Sequence, residues 1–256
     1  MSRGRIFVAL LMLLLIFLSL PLPFAKAAIV PQTYEATVDH IVDGDTLYID
    51  KPILGTRKVR YANIDTPETY HQPSYKQHLI DDQLDHSQKY HGERAKEQLQ
   101  SLLPPGEEII LEVGQTTKDY YGRLLAKVIR KKDRIDTNLE MIQRGLAVTY
   151  FIWPVDDKHT YNQYQKALKN AKRFHLGIWD RNHPLMELPF VFRKRDHRST
   201  YKKYVGNSET KEYVLPQYWY KVPVENRIFF NEMQQAQDAG YQAKEVPTLS
   251  PAPLYL

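Results

Sequence analysis

The sequence predicts an α+β fold, a small closed β-barrel with helices packed on it. Three observations predict it. Several short runs rich in β-branched and apolar residues fall between residues 33 and 130. Runs of helical period are interspersed with them, which fits a barrel decorated by helices. The 256-residue chain has no cysteine, so disulfides and thiolate metal sites are excluded and the domain must be held by its own core. It is long enough to bury one.

The elements follow in order. Residues 1–27 read as a secretory signal: Arg3 and Arg5 form a basic start, FVALLMLLLIFLSL is the apolar run, and Ala25-Lys26-Ala27 is a small-x-small cleavage site. The alternative is a single membrane anchor, since the run is not much shorter than the ~20 residues that span a bilayer. The cleavage site directly after the run favours removal, leaving no stable membrane anchor and a secreted protein, extracellular or cell-wall associated. TYEATVDHIVDGDTLYID has strand-forming residues on both sides of an Asp-Gly turn, which predicts a hairpin or bulged bend. RKVRYANI is the next strand. Residues 70–86 are polar and rich in His, Asp and Gln, and read as a loop. KYHGERAKEQLQSLLPPG predicts a helix with Ala95, Leu99, Leu102 and Leu103 on one side and a Pro-Pro-Gly stop. EEIILEV and RLLAKVIR are strands. TNLEMIQRGLA opens with a capping-box pattern, Thr137 with Glu140 three residues on, and closes at Gly145. HTYNQYQKALKNAKRFHLGIW predicts a third helix, stopped at Gly177.

Charge does not announce a partner. The formal charge is +5, and removing residues 1–27 takes away Arg3, Arg5 and Lys26, leaving +2. Residues 28–182 carry 22 basic and 22 acidic side chains. Any phosphate chemistry must rest on a few placed cations.

Three short stretches supply them. In VDGDT, Asp43 and Asp45 flank Gly44; on a strand, residues two apart share a face, and two like charges on one face invite a cation. An exposed Asp-Gly turn is the plain alternative. In RYANIDTPE, Arg60, Asp65 and Glu68 crowd the end of a strand, where a salt-bridged surface turn is the plain reading. Taken together, Asp45 and Asp65 offer two hard oxygens to Ca²⁺. Glu68 stands outside that pair and can take a proton from water, and Arg60 can fork onto a phosphate. In KDYYGRLLA, Gly122 permits a tight turn that aims Arg123, a second guanidinium for a phosphorane-like transition state.

These motifs, in this order and followed by RGLA with an aromatic cluster, resemble the staphylococcal-nuclease-like (thermonuclease) family over about residues 33–180. The resemblance implies a five-stranded OB-type barrel with three helices. It also implies a calcium-dependent endonuclease that cleaves DNA and RNA phosphodiesters to leave 3′-phosphate ends. Asp45 and Asp65 would ligate calcium with the carbonyl of Thr66, and Asp43 would lie in the outer shell. Glu68 would be the general base, Arg60 and Arg123 the phosphate clamps, and Tyr121 and Tyr150 contacts to the nucleotide. The spacing after RGLA is one residue short of the family pattern at Tyr150. Tyr120 stands where the family often has a basic residue. The loop after Glu68 is long; its His71, His78, Asp81, Asp82 and Asp85, with His86 and His91, read as a solvated segment, a second metal site being the alternative. Trp153-Pro154 falls where the family has a cis proline.

Residues 183–256 differ in composition. FRKRDHRSTYKK reads as a linker or solvated run. The segment YVGNSETKEYVLPQYWYKVPVENRIFFNEMQQAQDAGYQ resembles an Ada-type metal-binding module without its cysteines, with Val214 near the usual histidine. Tyr213, Tyr218, Trp219 and Tyr220 read as core, with base stacking as the alternative. The tail after Pro247 reads as disordered. Three parts are thus expected: a signal at 1–27, a catalytic barrel at 28–182, and a linker with accessory module at 183–256. Every candidate catalytic residue precedes Asn182, so a piece ending there is expected to stay folded and to cut short oligonucleotides at a similar rate; the protein itself is expected to be a monomer. Arg193, Lys194, Arg195, Lys202 and Lys203 would add salt-sensitive affinity for long substrates. The rival class is a secreted barrel that binds single strands or sugars without cutting; pure binding needs neither a calcium pair nor a base.

Overall fold

The computed structural model describes residues 31–69, 83–155, 157–196 and 202–245. The expected signal, the loop positions His71, His78, Asp81 and Asp82, and the tail after Pro247 lie outside them. Strands β1 (Gln32–Asp43), β2 (Thr46–Ile53) and β3 (Thr56–Tyr61) form an antiparallel meander around the Asp-Gly turn. The strand expected through Ile64 breaks after Tyr61. Asn63 takes a left-handed φ of +65°, which asparagine tolerates better than most residues, and β4 (Ile64–Asp65) sets off in a new direction. β5 (Glu108–Val113) pairs with β1, and β6 (Leu124–Arg130) runs antiparallel to β5 and parallel to β3. The β3–β6 ladder closes a five-stranded barrel, the OB-type α+β fold expected. Two register shifts in β1, near His40 and before Asp43, let one strand serve both sides of the barrel.

Helix α1 (Gln83–Leu102) starts earlier than its sequence suggested and takes in His86 and His91. Its buried residues Asp85, Gln88, Gly92, Ala95, Leu99 and Leu102 recur at helical spacing, and it ends before the Pro-Pro pair. The polar stripe that read as loop is therefore partly a buried helix face. β7 (Ile135–Asp136) leads into α2 (Thr137–Gln143). The cap is Asp136 and not Thr137: the Leu139 amide donates to Asp136 Oδ1 at 3.0 Å, while the Thr137 hydroxyl donates to the Val128 carbonyl in the core. β8 (Val148–Thr149) pairs with β4, and the Trp153–Pro154 bond is cis. α3 (Lys158–Arg173) is capped by Asp157 and ends a turn before Gly177.

The C-terminal region contains α4 (Pro189–Asp196), β9 (Tyr204–Asn207), β10 (Glu212–Val214), β11 (Arg227–Phe230), α5 (Met233–Asp238) and β12 (Gln242–Ala243). The strands form a sheet in the order β11-β9-β10-β12. Its inner face has its own small core of Tyr213, Ile228, Phe230, Ala236 and Tyr241. Its other contacts run into the barrel: Leu188, Phe190, Trp219, Val222 and Phe229 share one apolar cluster with Leu111, Val148 and Phe151. Phe229 also accepts a backbone hydrogen bond from Trp153 and donates one to Phe151, each at 2.8 Å. Among the described residues no break in the core marks the division expected at residue 182, and the run expected as linker begins within a packed helix. Tyr213 and Trp219 are buried, as the core reading of that aromatic group expects.

Candidate active site

The β1–β2 turn, the end of β3 and the short β4 converge at one rim of the barrel. Asp43 and Asp45 do not share a strand face as the i, i+2 spacing suggested. They flank a turn, and the Asp45 amide donates to Asp43 Oδ1 at 3.1 Å, so a local hydrogen bond brings the two carboxylates together. Both are buried. Asp45 Oδ2 accepts the Thr66 amide at 2.8 Å, which ties the first turn to the β4 exit. A Cβ on Gly44 would stand 2.6 Å from the Ala95 Cβ, and one on Gly92 would stand 2.5 Å from the Glu68 carbonyl. Helix α1 thus presses both acidic segments into place through two glycines. Its Gln88 accepts the Glu68 amide at 3.1 Å and donates to the Glu187 carbonyl at 2.6 Å.

Arg60 sits under this rim, 9% exposed. Its Nη1 donates to the carbonyls of Tyr61 and Ile64, and its Nη2 contacts Asp65 Oδ1 at 3.0 Å and Asp45 Oδ2 at 3.1 Å. Burial pulls its pKa down, but Asp45 and Asp65 outweigh burial and hold it above the usual arginine value. Asp45 behaves in the mirror sense: burial raises it, yet Arg60 and the Thr66 amide bring it below the carboxylate range. Asp43 has less help, from the Asp45 amide and then Arg60, and it is outweighed. Burial, then Asp45 and Glu68, push it to about 7. Glu68 is raised chiefly by burial, with an opposing pull from a second guanidinium.

That guanidinium is Arg193 on α4. Its Nη1 and Nη2 fork onto Asp65 at 2.6 and 2.7 Å, Nη1 also reaches Glu68 Oε1 at 3.0 Å, and its Cζ lies 5.7 Å from the Tyr150 ring centre. The basic run expected to be solvated or to meet distant phosphates thus sends one side chain into the site. Sequence offered no signal for it, since its partners lie 128 and 125 residues away.

The other candidates divide. Tyr150 is half-buried beside the cluster, placed by the β4–β8 pairing and by its amide, which donates to the Asn63 carbonyl. Arg123 follows Gly122, whose φ is +75°, and its Nε donates to Asp119 Oδ2 of its own loop at 2.6 Å instead of to the acidic group. The β3–β6 ladder nevertheless seats the next residue, Leu124, against Val59, beside the Arg60 strand. Tyr121 and Tyr120 project into solvent, 71% and 96% exposed, with rings 5.5 Å apart and edge to face.

The donor set suits a hard divalent cation in composition: Asp43, Asp45, Asp65 and Glu68 offer four carboxyl groups, all oxygen donors, against the two guanidinium groups of Arg60 and Arg193. The arrangement is closed, however. Among the described residues no three acidic or imidazole side chains stand in a ligating cluster, because Asp65 is turned onto Arg193 and Asp45 onto Arg60 and Thr66. His86 and His91 lie on α1, outside any such cluster.

A closed five-stranded barrel with buried carboxylates and guanidinium groups at its rim defines a small class of proteins. A sequence profile described as staphylococcal nuclease homologue matches residues 58–181. The thermonuclease of Staphylococcus intermedius is 30% identical over 159 residues, 62% of this chain and 84% of that protein. The chain belongs to the staphylococcal nuclease family. It is also similar to the endonuclease YhcR of Bacillus subtilis (strain 168), 44% identical over 221 residues, 86% of this chain but only 18% of the relative's length. A match of that extent reaches past residue 182, so part of the C-terminal region is shared with that relative. These matches give no support to the Ada-type likeness.

Proposed function

We propose that the protein is a secreted, calcium-dependent endonuclease that hydrolyses DNA or RNA phosphodiesters to 3′-phosphate ends. The observation that carries this is the gathering of four carboxyl groups at a barrel rim, Asp45 and Asp65 on Arg60, Asp65 and Glu68 on Arg193, and Asp43 hydrogen-bonded to the Asp45 amide. Asp45 and Asp65, with the Thr66 carbonyl, would hold Ca²⁺, and Asp43 would act from outside that shell. The cation would supply charge stabilisation at the phosphate. Arg60, fixed by four acceptors, contributes a positive field at constant position. Arg123 on its loop contributes a second guanidinium at the rim, and Tyr121 and Tyr150 offer ring and hydroxyl contacts to a nucleotide. Glu68 orients water and takes its proton; burial raises its pKa, which strengthens it as a base, and Arg193 opposes that rise. Its anchoring by Gln88 and Gly92 fixes the direction of that transfer. Secretion rests on residues 1–27 and a monomer on the closed barrel.

The test is cleavage of labelled DNA and RNA with calcium or chelator, followed by single-turnover kinetics of Glu68→Gln. Positioned acid–base catalysis contributes about 10²–10⁴-fold, so the variant should lose turnover on that order while substrate affinity changes little. Cleavage at the parent rate would remove Glu68 as the base. Intact substrate in calcium would favour the binding-only barrel.

A further inference from the structure

Helix α4 is anchored in the core as well as in the site. Phe190 and Phe192, just before Arg193, are buried. The Phe190 ring packs edge to face against Trp219 and Phe229, with centroids 5.2 and 5.4 Å away. A helix anchored in the core delivers Arg193 to a fixed place, beyond the segment that the nuclease profile matches. There it engages both carboxylate oxygens of Asp65. Oδ1 accepts both Arg60 and Arg193, and Oδ2 accepts the second arm of the Arg193 fork. A carboxylate has about four lone-pair sites, and three of those of Asp65 are in use. Any cation that needs Asp65 meets a guanidinium already there.

We infer that Arg193 competes with the divalent cation for Asp65, so that a residue of the C-terminal region sets the cation affinity of the barrel site. This rests on the nuclease reading of the same cluster. Without cation, Arg193 joins Arg60 in supplying the counter-charge that lets the four carboxyl groups sit together. With cation, Asp65 is drawn from the fork. Affinity for Ca²⁺ is therefore lower than the carboxylate set alone would give, since affinity tracks ligand charge.

The experiment is calcium titration by calorimetry on the full chain and on Arg193→Gln, Arg193→Lys and Asp65→Asn. Arg193→Gln should bind calcium on the order of tenfold more tightly, within the usual range of coupling between two ligands of one site. Arg193→Lys, which keeps charge but not the fork, should fall between it and the parent. Thermal unfolding gives a second readout. In chelator Arg193→Gln should melt lower than the parent, and calcium should raise its midpoint by more. Equal or weaker calcium binding in Arg193→Gln, with binding still lost in Asp65→Asn, overturns the competition and leaves the nuclease reading standing. No calcium binding in parent or in either Arg193 variant overturns the cation site itself. Should Arg193→Gln not fold, Arg193→Lys decides: unchanged affinity there counts against competition.

Discussion

Arg60 and Arg227 are both buried, 9% and 2% exposed, and the protein offsets the two cations by different means. Arg60 lies among carboxylates, which hold its pKa up. Arg227 lies against two rings that touch each other, its Cζ 5.2 Å from the Phe190 centroid and 5.1 Å from that of Trp219. Its Nε donates to the Val222 carbonyl at 2.8 Å, while Nη1 has no partner among the described residues. Burial drives its pKa down to about 9, opposed only in part by Glu225; it stays charged at neutral pH. The difference separates a site from a joint. Carboxylates in surplus over arginines can accept another cation, whereas ring faces carry no net charge to exchange. The acidic rim is thus open to chemistry, and the arginine with its ring pair fastens β11 and α4 to the barrel.

The severest way to break the comparison is to remove the joint. A chain ending at Asn182 loses Phe190, Trp219, Val222 and Phe229 from the shared cluster, and Arg193 from the acidic rim. Truncating a single buried aromatic side chain costs about 3–5 kcal/mol, against a total stability of about 5–15 kcal/mol. The packing therefore reverses the expectation drawn from composition: the truncated chain should lack a cooperative unfolding transition by circular dichroism. A sharp transition near the parent's midpoint would show that the joint is decorative.

Next come the two arginines themselves. Arg60→Met leaves Asp45 and Asp65 without their shared partner in a pocket already rich in negative charge. Breaking a buried pair from one side costs about 3–5 kcal/mol, and urea unfolding in chelator should show a loss of that size. Arg227→Met removes a buried cation, one hydrogen bond and two ring contacts at once. The relief of burial offsets the lost contacts, worth about 0.5–2 kcal/mol each, so the net loss should stay below about 2 kcal/mol. A larger loss for Arg227→Met than for Arg60→Met would invert the distinction between site and joint.

The same contrast explains what the sequence made legible. The barrel could be read because its signals are local: an Asp-Gly turn between two strand-like runs, a Pro-Pro stop after Leu102, a polar cap before α2. The acidic rim could be read because Asp43, Asp45, Asp65 and Glu68 fall within two short motifs. Even there the geometry differed, since Asp43 and Asp45 meet across a turn through a backbone hydrogen bond, and Asn63 broke an expected strand. Arg193 and Arg227 were illegible. A guanidinium in a basic run carries no mark of the carboxylate it will meet 128 residues upstream. An arginine in VENRIFF likewise gives no hint of two rings from different elements. Pairings across the chain are decided by packing, and neither charge nor period encodes them one residue at a time.

The smallest effect expected is at the edge of the joint. Glu225 accepts Lys172 of α3 at 2.8 Å, with side chains 20% and 35% exposed, and it is the acidic group that opposes the fall in the Arg227 pKa. Its own pKa lies below the ordinary value: burial raises it, and the hydrogen bond and charge of Lys172 more than offset that. The sign follows. A carboxylate depressed in the folded state stabilises above its unfolded pKa, and that contribution is lost as pH falls through the folded value. Glu225→Gln should therefore cost less than about 1 kcal/mol at pH 7, as partly exposed ion pairs do. The cost should shrink in high salt and vanish well below pH 4.5, the unshifted value. A double-mutant cycle of Glu225→Gln with Arg227→Met then asks how Arg227 is held. Rings as the main support predict a coupling below about 0.5 kcal/mol, the level at which separate sites usually add. A coupling of about 2 kcal/mol would make Glu225 the true counter-ion of Arg227, and the joint would then be ionic, like the rim.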